Sequence, residues 1–167
     1  MIDRDTYKLG DILNFRRGYD LPKTQMIDGE VPVAGSNGII GYHNIATPIE
    51  PCITIGRSGN VGTPYIYDRC WAHNTVLYID DFKGNDPLYL YYLLKTVPLS
   101  SYSGGSAVPT LNRNHIHPIE VKFISSLKEQ KIKSICFHHT EITSLILLIL
   151  SSLSSPFPTS KNSVKCE

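Results

Sequence analysis

A polar loop with regularly spaced glycines contains the residues of this chain that are best suited to contact a ligand. Residues 56–62 read Gly-Arg-Ser-Gly-Asn-Val-Gly and lie between two runs rich in β-branched and aromatic residues. Glycine beside a strand usually supplies a positive φ or lets the backbone approach something closely. Arg57 suits guanine O6 and N7 or a phosphate, Asn60 suits adenine, and Ser58 lies between them. The alternative interpretation is a hairpin in which the glycines only form the turn.

Residues 35–44, residues 106–113 and an upstream loop at residues 23–24 carry polar side chains of the same kind. Asn37-Gly38 is a strong type I′ turn signal, so residues 35–44 are predicted to form a hairpin that displays polar groups at its tip and on its return. Lysine and threonine in the upstream loop suit backbone phosphates, which position a protein without specifying sequence. For each residue the alternative is a turn-stabilising or solvated side chain. The candidates in these segments are Asn37, Tyr42, His43, Ser106, Asn112 and Arg113, with Lys23 and Thr24 for phosphates.

Short strands and helices are predicted to carry these loops. Runs rich in Val, Ile, Thr and Tyr predict strands over residues 31–34, 52–55, 63–67, 75–79 and 119–123. The apolar spacing of residues 7–15 predicts a short helix. Arg16 and Arg17 would then lie at its C-terminal end, where they either complement the helix dipole or contact phosphate. Pro87 is well placed in the first turn of a second helix over residues 88–95.

Composition changes along the 167 residues and predicts two kinds of structure. All 12 glycines precede Ser106 and all 10 tyrosines precede Ser103, whereas Ser, Ile and Leu dominate from residue 124. We therefore expect an α+β chain: a mainly-β body over residues 1–123 with short flanking helices, a helical segment over 124–158, and a frayed tail over 159–167.

The helical segment carries a heptad seam that predicts dimerisation. Apolar residues spaced alternately three and four apart form a coiled-coil stripe, and His139 is a polar a position of the kind that can set register. Such a helix is not stable alone and needs a partner. The apolar seam residues are Ile132, Ile135, Ile142, Ile146, Ile149 and Leu153.

Charge and cysteine content limit the possible classes of protein. The net charge is +1, so no global basic field indicates nucleic acid. Cys52, Cys70, Cys136 and Cys166 show no C-x-x-C pair and no zinc spacing, so they are interpreted as reduced thiols of an intracellular protein. From the polar start we expect no signal peptide, and the longest apolar run is too short to cross a bilayer. A cytoplasmic protein is predicted.

Catalytic motifs are scarce. The sequence has no G-x-x-x-x-G-K-[ST] phosphate loop, no glycine-rich cofactor motif after a strand and no Asn-Pro-Pro-aromatic motif, and no cofactor or metal is predicted. Glu120 and Lys122 form the E-x-K half of a metal-dependent nuclease signature, with Asp81 or Asp86 as conceivable partners. A small Mg²⁺-dependent DNA endonuclease is therefore the alternative function.

Several pieces, in this order, make residues 7–135 resemble one target recognition domain of the specificity subunit of a type I restriction–modification enzyme. They are residues 7–12, 33–44, 56–59 with Trp71 and Thr75, 105–116 and 127–130. The resemblance implies a non-catalytic subunit that reads double-stranded DNA, one half of a split target for each domain. It also implies a helix after each domain that spaces the halves and docks the methyltransferase subunits, through which the restriction subunit is reached.

The resemblance has two further consequences for assembly. A full specificity subunit carries two such domains, so this chain resembles a half-subunit that dimerises through its tail. Beyond Ile135 the family continues with a charged helix, whereas this chain reads Cys-Phe-His-His-Thr followed by Leu and Ser. A truncated or frameshifted product would show the same departure.

Overall fold

Nine short strands and four α-helices form the described part of the chain, which has the mixed α+β fold predicted from the sequence. The structure is a computed structural model that describes residues 5–104 and 108–153, with the backbone alone described for 148–153. The strands are β1 (Asp5–Lys8), β2 (Asn14–Arg17), β3 (Val31–Gly35), β4 (Gly38–His43), β5 (Cys52–Gly56), β6 (Pro64–Tyr67), β7 (Trp71–Ala72), β8 (Val76–Asp81) and β9 (Glu120–Phe123). The helices are α1 (Leu9–Ile12), α2 (Pro87–Thr96), α3 (Arg113–Ile116) and α4 (Leu127–Leu153), with 3₁₀ turns at Lys23–Gln25 and Leu99–Tyr102.

The central sheet has the strand order β2-β8-β5-β6 and is antiparallel throughout. Alternation along β5 and β8 sends Ile53, Ile55 and Ile79 into the main core, where Leu90 and Leu94 of α2 are also fully buried. The strands predicted over residues 52–55 and 75–79 are thus confirmed as β5 and β8, the two inner strands of this sheet.

A second sheet, ordered β4-β3-β7, carries the predicted hairpin. β3 and β4 pair from Val31 opposite His43 to Gly35 opposite Gly38, so the hairpin is confirmed. The prediction of a type I′ turn at Asn37-Gly38 is wrong, because a type I′ turn needs a positive φ at both central residues. Gly38 has a φ of +98°, but Lys83 is the only non-glycine described with a positive φ, so Asn37 has none.

The predicted helix over residues 7–15 is also wrong, because this segment is a strand, one helical turn and a second strand. β1 pairs antiparallel with β9, and β2 pairs with β8. Leu9, Leu13 and Phe15 are all fully buried. The apolar spacing therefore reflects burial in α1, at the residue that follows α1 and in β2, and Arg16 and Arg17 project from β2 instead of from a helix end.

Helix α2 begins as the sequence predicts. Pro87 occupies the first turn, and the Asp86 carboxylate accepts a hydrogen bond from the Tyr89 N–H at 2.8 Å. This N-cap satisfies an amide that would otherwise lack a partner.

Helix α4 is attached at its first turns through Gln130, which is fully buried. The Gln130 amide donates to Asn85 Oδ1 at 2.9 Å and to the Ile124 carbonyl at 2.7 Å, and it accepts from the Asp86 N–H at 2.8 Å. Asn85 in turn donates to the Ile12 carbonyl at 2.8 Å. The start of α4 is thus hydrogen-bonded to the loop before α2, and Asn85 of that loop is bonded to the end of α1.

The seam residues of α4 that the structure describes are solvent-exposed. Ile132, Ile135, Ile142 and Ile146 are between 46% and 67% exposed. The side chains of Ile149 and Leu153 lie outside the described residues, as does the predicted frayed tail over 159–167. Compact units divide after Ser134, and the division predicted at residues 123 and 158 stays a prediction.

The interpretation of all four cysteines as reduced thiols is wrong, because Cys52 and Cys70 form a disulfide. Both side chains are fully buried beside Ala34 and Tyr67, where β5 meets the segment entering β7. Their separation of 18 residues carries no signal for this approach. Cys136 is free and exposed, and Cys166 lies outside the described residues. Among the helices that are described, none is long and apolar enough to cross a membrane.

Candidate nucleic-acid interface

An open cleft of about 340 Å³ lies where β2, residues 56–62 (the glycine loop) and residues 110–113 meet. Four of its eight lining residues are arginines, and no carboxylate is among the eight. The lining residues are Arg16, Arg17, Arg57, Leu77, Thr110, Leu111, Asn112 and Arg113. We call this the arginine cleft.

Arg57 is held in the arginine cleft by its backbone. The Arg57 and Ser58 N–H groups both donate to the Thr75 carbonyl, at 2.8 and 3.2 Å, and the Arg57 carbonyl accepts from the Leu111 N–H at 2.8 Å. The side chain is half-buried. These bonds attach the glycine loop to the turn before β8 on one side and to residues 108–113, which we call the late loop, on the other.

The glycines explain why this loop can close. A Cβ on Gly56 would lie 1.7 Å from the Asn60 carbonyl oxygen, and Gly59 and Gly62 have φ values of +85° and +81°. The close approach inferred from the sequence is therefore an approach of the loop to its own backbone, and it fixes where Arg57 and Ser58 lie.

The late loop supplies Asn112 and Arg113. Asn112 is the N-cap of α3, and its side-chain oxygen accepts from the Asn114 N–H at 3.0 Å. Arg113 is exposed, and its guanidinium donates to the Phe15 carbonyl at 3.4 Å. This contact joins α3 to β2. Ser106 lies outside the described residues.

His117, the residue that follows α3, makes a second contact with β2. The Phe15 N–H donates to His117 Nε2 at 3.1 Å, and the two rings stack with centroids 6.1 Å apart. Burial lowers the pKa of His117, and the positive charges of Arg113 and Lys83 lower it further. A neutral His117 is the form that can accept this hydrogen bond.

Sequence reasoning missed Arg16 and Arg17 as partners of Arg57, because it assigned them to a helix end. In the structure they are adjacent on β2, opposite Tyr78 and Leu77 of β8. Both are exposed and line the arginine cleft. Had residues 14–17 been assigned to an edge strand, Arg16 and Arg17 would have been expected on the sheet beside β8 and not at a helix end.

Asp20 lies beside this group of arginines. Its carboxylate accepts from Arg17 Nη2 at 3.0 Å and also accepts from the Asn74 side-chain amide. The pKa of Asp20 is lowered, chiefly by the hydrogen bond from Asn74; desolvation opposes this, and the charge and hydrogen bond of Arg17 lower the pKa further.

The hairpin tip lies against the glycine loop. A Cβ on Gly59 would be 3.6 Å from Ser36 Oγ, and one on Gly56 would be 3.4 Å from the Ser36 carbonyl oxygen. Asn37 and Tyr42 are exposed. The hairpin therefore places two of the candidate residues on the surface, with its tip next to the loop that carries Arg57.

His43 is not displayed as the sequence predicted, because it is only 4% exposed. Its Nδ1 accepts from the Ile27 N–H at 3.1 Å, and its ring meets Trp71 edge-on at 5.3 Å. Tyr42 is exposed and the next residue, His43, is buried, because successive side chains of a strand point to opposite faces. The side chain supports the base of the hairpin.

The other predicted contact residues lie outside the arginine cleft. Asn60 is exposed and accepts from Thr63 Oγ1 at 3.3 Å. Ser58 is half-buried, and Lys23 and Thr24 are exposed on a 3₁₀ turn. The structure thus brings together Arg57, Asn112 and Arg113 in the arginine cleft. Asn60, Ser58, Lys23 and Thr24 are not among the residues that line it.

Lys122, Asp81 and Asp86 of the nuclease alternative have local roles, and Glu120 is exposed on β9. Lys122 donates to Thr6 Oγ1 at 2.9 Å, Asp81 accepts from the Lys83 N–H at 2.7 Å, and Asp86 caps α2. Within residues 5–104 and 108–153, no three His, Cys, Asp or Glu side chains are grouped so that they would hold a metal ion.

Comparison with known proteins decides the family. Residues 1–147 match the family model of the type I restriction modification DNA specificity domain. The chain belongs to this family. The match confirms the resemblance seen in the sequence. In this family the specificity subunit is the non-catalytic subunit. A comparison with curated proteins found no match.

Solved structures show the same fold. The chain is similar to the S subunit of a type I restriction-modification system from M. genitalium, with a TM-score of 0.71, 17% identity and coverage of 91% of this chain and 42% of that one. It is also similar to a chain from a study of complex assembly and conformational transition of the type I R-M system (TM-score 0.72, 11% identity, 90% and 41% covered). A third is the HsdS subunit from Thermoanaerobacter tengcongensis (TM-score 0.58, 11% identity, 91% and 40% covered). The specificity-domain chain spans about four-tenths of the length of these relatives.

Proposed function

We propose that this specificity domain reads one half of a bipartite double-stranded DNA target through the arginine cleft, and directs methyltransferase and restriction subunits to that target. One observation supports the cleft above all others. Four arginines from three separate chain segments converge on it, although the whole chain has a net charge of only +1. Arginine is the residue best suited both to guanine edges and to phosphate.

The local environments suggest different roles for the four arginines. Arg57 is half-buried and its backbone is fixed on both sides, so we assign it to base reading, which needs a defined geometry. Arg16, Arg17 and Arg113 are exposed, so we assign them to backbone phosphates. Asn37 and Tyr42 extend the surface from the hairpin, and Ser58, Asn60, Asn112 and Lys23 complete the proposed contact set.

Assembly is proposed to use α4. Its exposed apolar seam is the kind of surface that a partner helix covers. A second copy of this chain would place two reading domains in one assembly, and methyltransferase subunits would dock on the same helices. Because phosphate contacts dominate affinity and the net charge is low, we expect one chain alone to bind DNA weakly.

Selection from a randomised duplex library tests this proposal. The full chain, alone and with its methyltransferase subunit, is incubated with the library in EDTA, and bound duplexes are sequenced. We expect an enriched motif, and an affinity for it that falls as salt rises from 50 to 200 mM. Equal binding of all duplexes by the complete assembly would contradict the proposal. Cleavage of DNA on adding Mg²⁺ to the isolated chain would favour the nuclease alternative.

A further inference from the structure

Asp20 introduces a negative charge beside a cleft that is otherwise cationic. Its carboxylate is bonded to Arg17 at 3.0 Å, and the side chains of Arg17 and Asp20 are 50% and 64% exposed. A phosphate that approaches Arg17 therefore meets a fixed anion that already occupies one guanidinium N–H.

The position of Asp20 is built into the backbone. The Gly18 N–H donates to the Val76 carbonyl at 3.0 Å and the Tyr19 N–H donates to the Ala72 carbonyl at 2.8 Å. A Cβ on Gly18 would lie 2.1 Å from the His73 carbonyl oxygen. The absence of a side chain at Gly18 therefore lets residues 18–20 pack closely against the turn that carries Asn74. The Asn74 side-chain amide is the second donor to Asp20.

The same turn also holds Arg57. The Thr75 carbonyl accepts the Arg57 and Ser58 N–H groups, and Asn74 is the residue before it. Asp20 is thus bonded directly to Arg17. Through Asn74 it is also bonded to the turn whose Thr75 carbonyl holds the backbone of Arg57. The hydrogen bond from Asn74 and the charge of Arg17 lower the pKa of Asp20, so it is ionised at neutral pH.

We propose that Asp20 is a specificity-determining residue that competes with arbitrary phosphates for Arg17 and so weakens non-specific binding more than specific binding. Discrimination is a difference between two affinities, and a repulsive group that penalises the wrong ligand increases it. DNA that fits the cleft places several acceptors around the arginines at once and replaces Asp20, whereas DNA that meets Arg17 alone does not. This inference rests on the proposed function of the arginine cleft.

Asp20→Asn separates competition from simple orientation of Arg17. The amide oxygen of the variant still accepts from Arg17 or Asn74, but the negative charge is lost. Asp68→Asn is the matched control, because it makes the same charge change at an exposed position in the turn after β6. β6 runs antiparallel to β5, so this turn lies at the opposite end of that hairpin from Arg57.

The measurement is fluorescence anisotropy of the full chain with a duplex obtained by selection and with a scrambled duplex of equal length, at 50 and 200 mM NaCl. We expect Asp20→Asn to tighten binding of the scrambled duplex and to lower the ratio of selected to scrambled affinity. Its salt slope should steepen by about 0.9, so the gain over wild type is about 3.5-fold larger at 50 mM than at 200 mM. Asp68→Asn should leave both the ratio and the slope at wild-type values.

Three outcomes would overturn the role of Asp20. They are an unchanged Asp20→Asn slope, an equal gain in both variants, and weaker binding by folded Asp20→Asn, which would mean that Asp20 only orients Arg17. Asp20→Ser replaces the asparagine variant if circular dichroism shows misfolding. If selection yields no preferred duplex, the proposed function fails, but the salt slopes of wild type and Asp20→Asn can still be compared on an arbitrary duplex.

Discussion

At the scale of single residues, Arg57 shows how a backbone positions a reading group. Its N–H and carbonyl are both hydrogen-bonded, to Thr75 and Leu111, and Gly56 lets the loop close without a steric clash. The type of residue at position 57 could be interpreted from the sequence alone. The neighbours that give it a cationic environment could not, because Arg16 and Arg113 come from segments 41 positions before and 56 positions after it.

Gly56→Ala should unfold or displace the glycine loop. A Cβ there meets the Asn60 carbonyl oxygen at 1.7 Å, so we expect a loss of about 3 kcal/mol in the free energy of unfolding, the upper end of the cost of forced repacking. Gly84→Ala is the control, since its φ is +76° and no atom lies within 4 Å of the added Cβ. It should cost about 1–2 kcal/mol, the cost of a left-handed conformation. Equal losses in urea unfolding would show that contact with Asn60 is unimportant.

His117 should make stability depend on pH. An unfolded histidine gains a proton below about pH 6.5, whereas burial and nearby Arg113 keep folded His117 neutral to a lower pH. The unfolded state therefore binds more protons in this window, and the free energy of unfolding falls as pH decreases from about 6.5 through the lowered pKa.

Urea unfolding at pH 7.5 and 5.5 checks this prediction with His117→Phe, which removes the titrating group. The variant should be less stable at pH 7.5, because the Phe15 N–H loses its acceptor, and its stability should change less between the two pH values. Part of the pH dependence should persist, since burial also lowers the pKa of His73. An exposed histidine, His115, replaced by Phe is the control. A pH dependence in His117→Phe as steep as in wild type would contradict the account.

At the scale of elements, the strongly patterned ones were predictable and the mixed ones were not. β5, β8 and α2 follow their β-branched runs and the Pro87 signal, because each pattern belongs to a single element. Residues 5–17 hold a strand, a helical turn and a strand, so their apolar spacing matched a helix that does not exist. The two-residue strand β7 is too short to leave a pattern, and it depends on pairing with β3.

Gln130 is the residue whose loss should most weaken the attachment of α4. Gln130→Ala would leave the Asp86 N–H, Asn85 Oδ1 and the Ile124 carbonyl without this partner. Each buried polar group left unpaired costs about 1–3 kcal/mol, so we expect a loss of about 3 kcal/mol or more in urea unfolding. Lys131→Ala, an exposed neighbour on the same helix, should change stability by less than about 0.5 kcal/mol. Similar small losses in both variants would show that the hydrogen bonds of Gln130 contribute little.

At the scale of the whole molecule, charge and apolar surface are both concentrated locally. A chain with a net charge of +1 still gathers four arginines in one cleft, so composition alone could not reveal the site. The heptad pattern correctly predicted a long helix, because its spacing depends only on local sequence. It does not identify the helix that covers the seam, since that depends on a second chain.

Ile142→Glu should prevent association through α4. Each seam isoleucine contributes about 1.5–3 kcal/mol when buried, and a symmetric dimer buries two, so the dimer dissociation constant should rise by about 10²- to 10⁴-fold. Ser144→Glu adds the same charge at an exposed position outside the seam and should leave the dimer intact. Size-exclusion chromatography with light scattering measures the masses. A monomeric wild-type chain, or equal effects of the two variants, would contradict the proposed seam.

The reading role of Arg57 is the central claim, and a base-substitution scan tests it most directly. Wild type, Arg57→Ala and Arg69→Ala are titrated with the selected duplex and with every single-base variant of it. Arg69 is exposed in the turn after β6, roughly 15 Å along the hairpin from Arg57, so it controls for loss of one positive charge.

We predict that Arg57→Ala loses about 1–3 kcal/mol of discrimination at one base pair and keeps its preferences elsewhere. Arg69→Ala should retain the wild-type pattern at every position. An Arg57→Ala variant that binds more weakly but keeps every base preference would show that Arg57 contacts only the backbone, and would contradict the assignment of base reading to the arginine cleft.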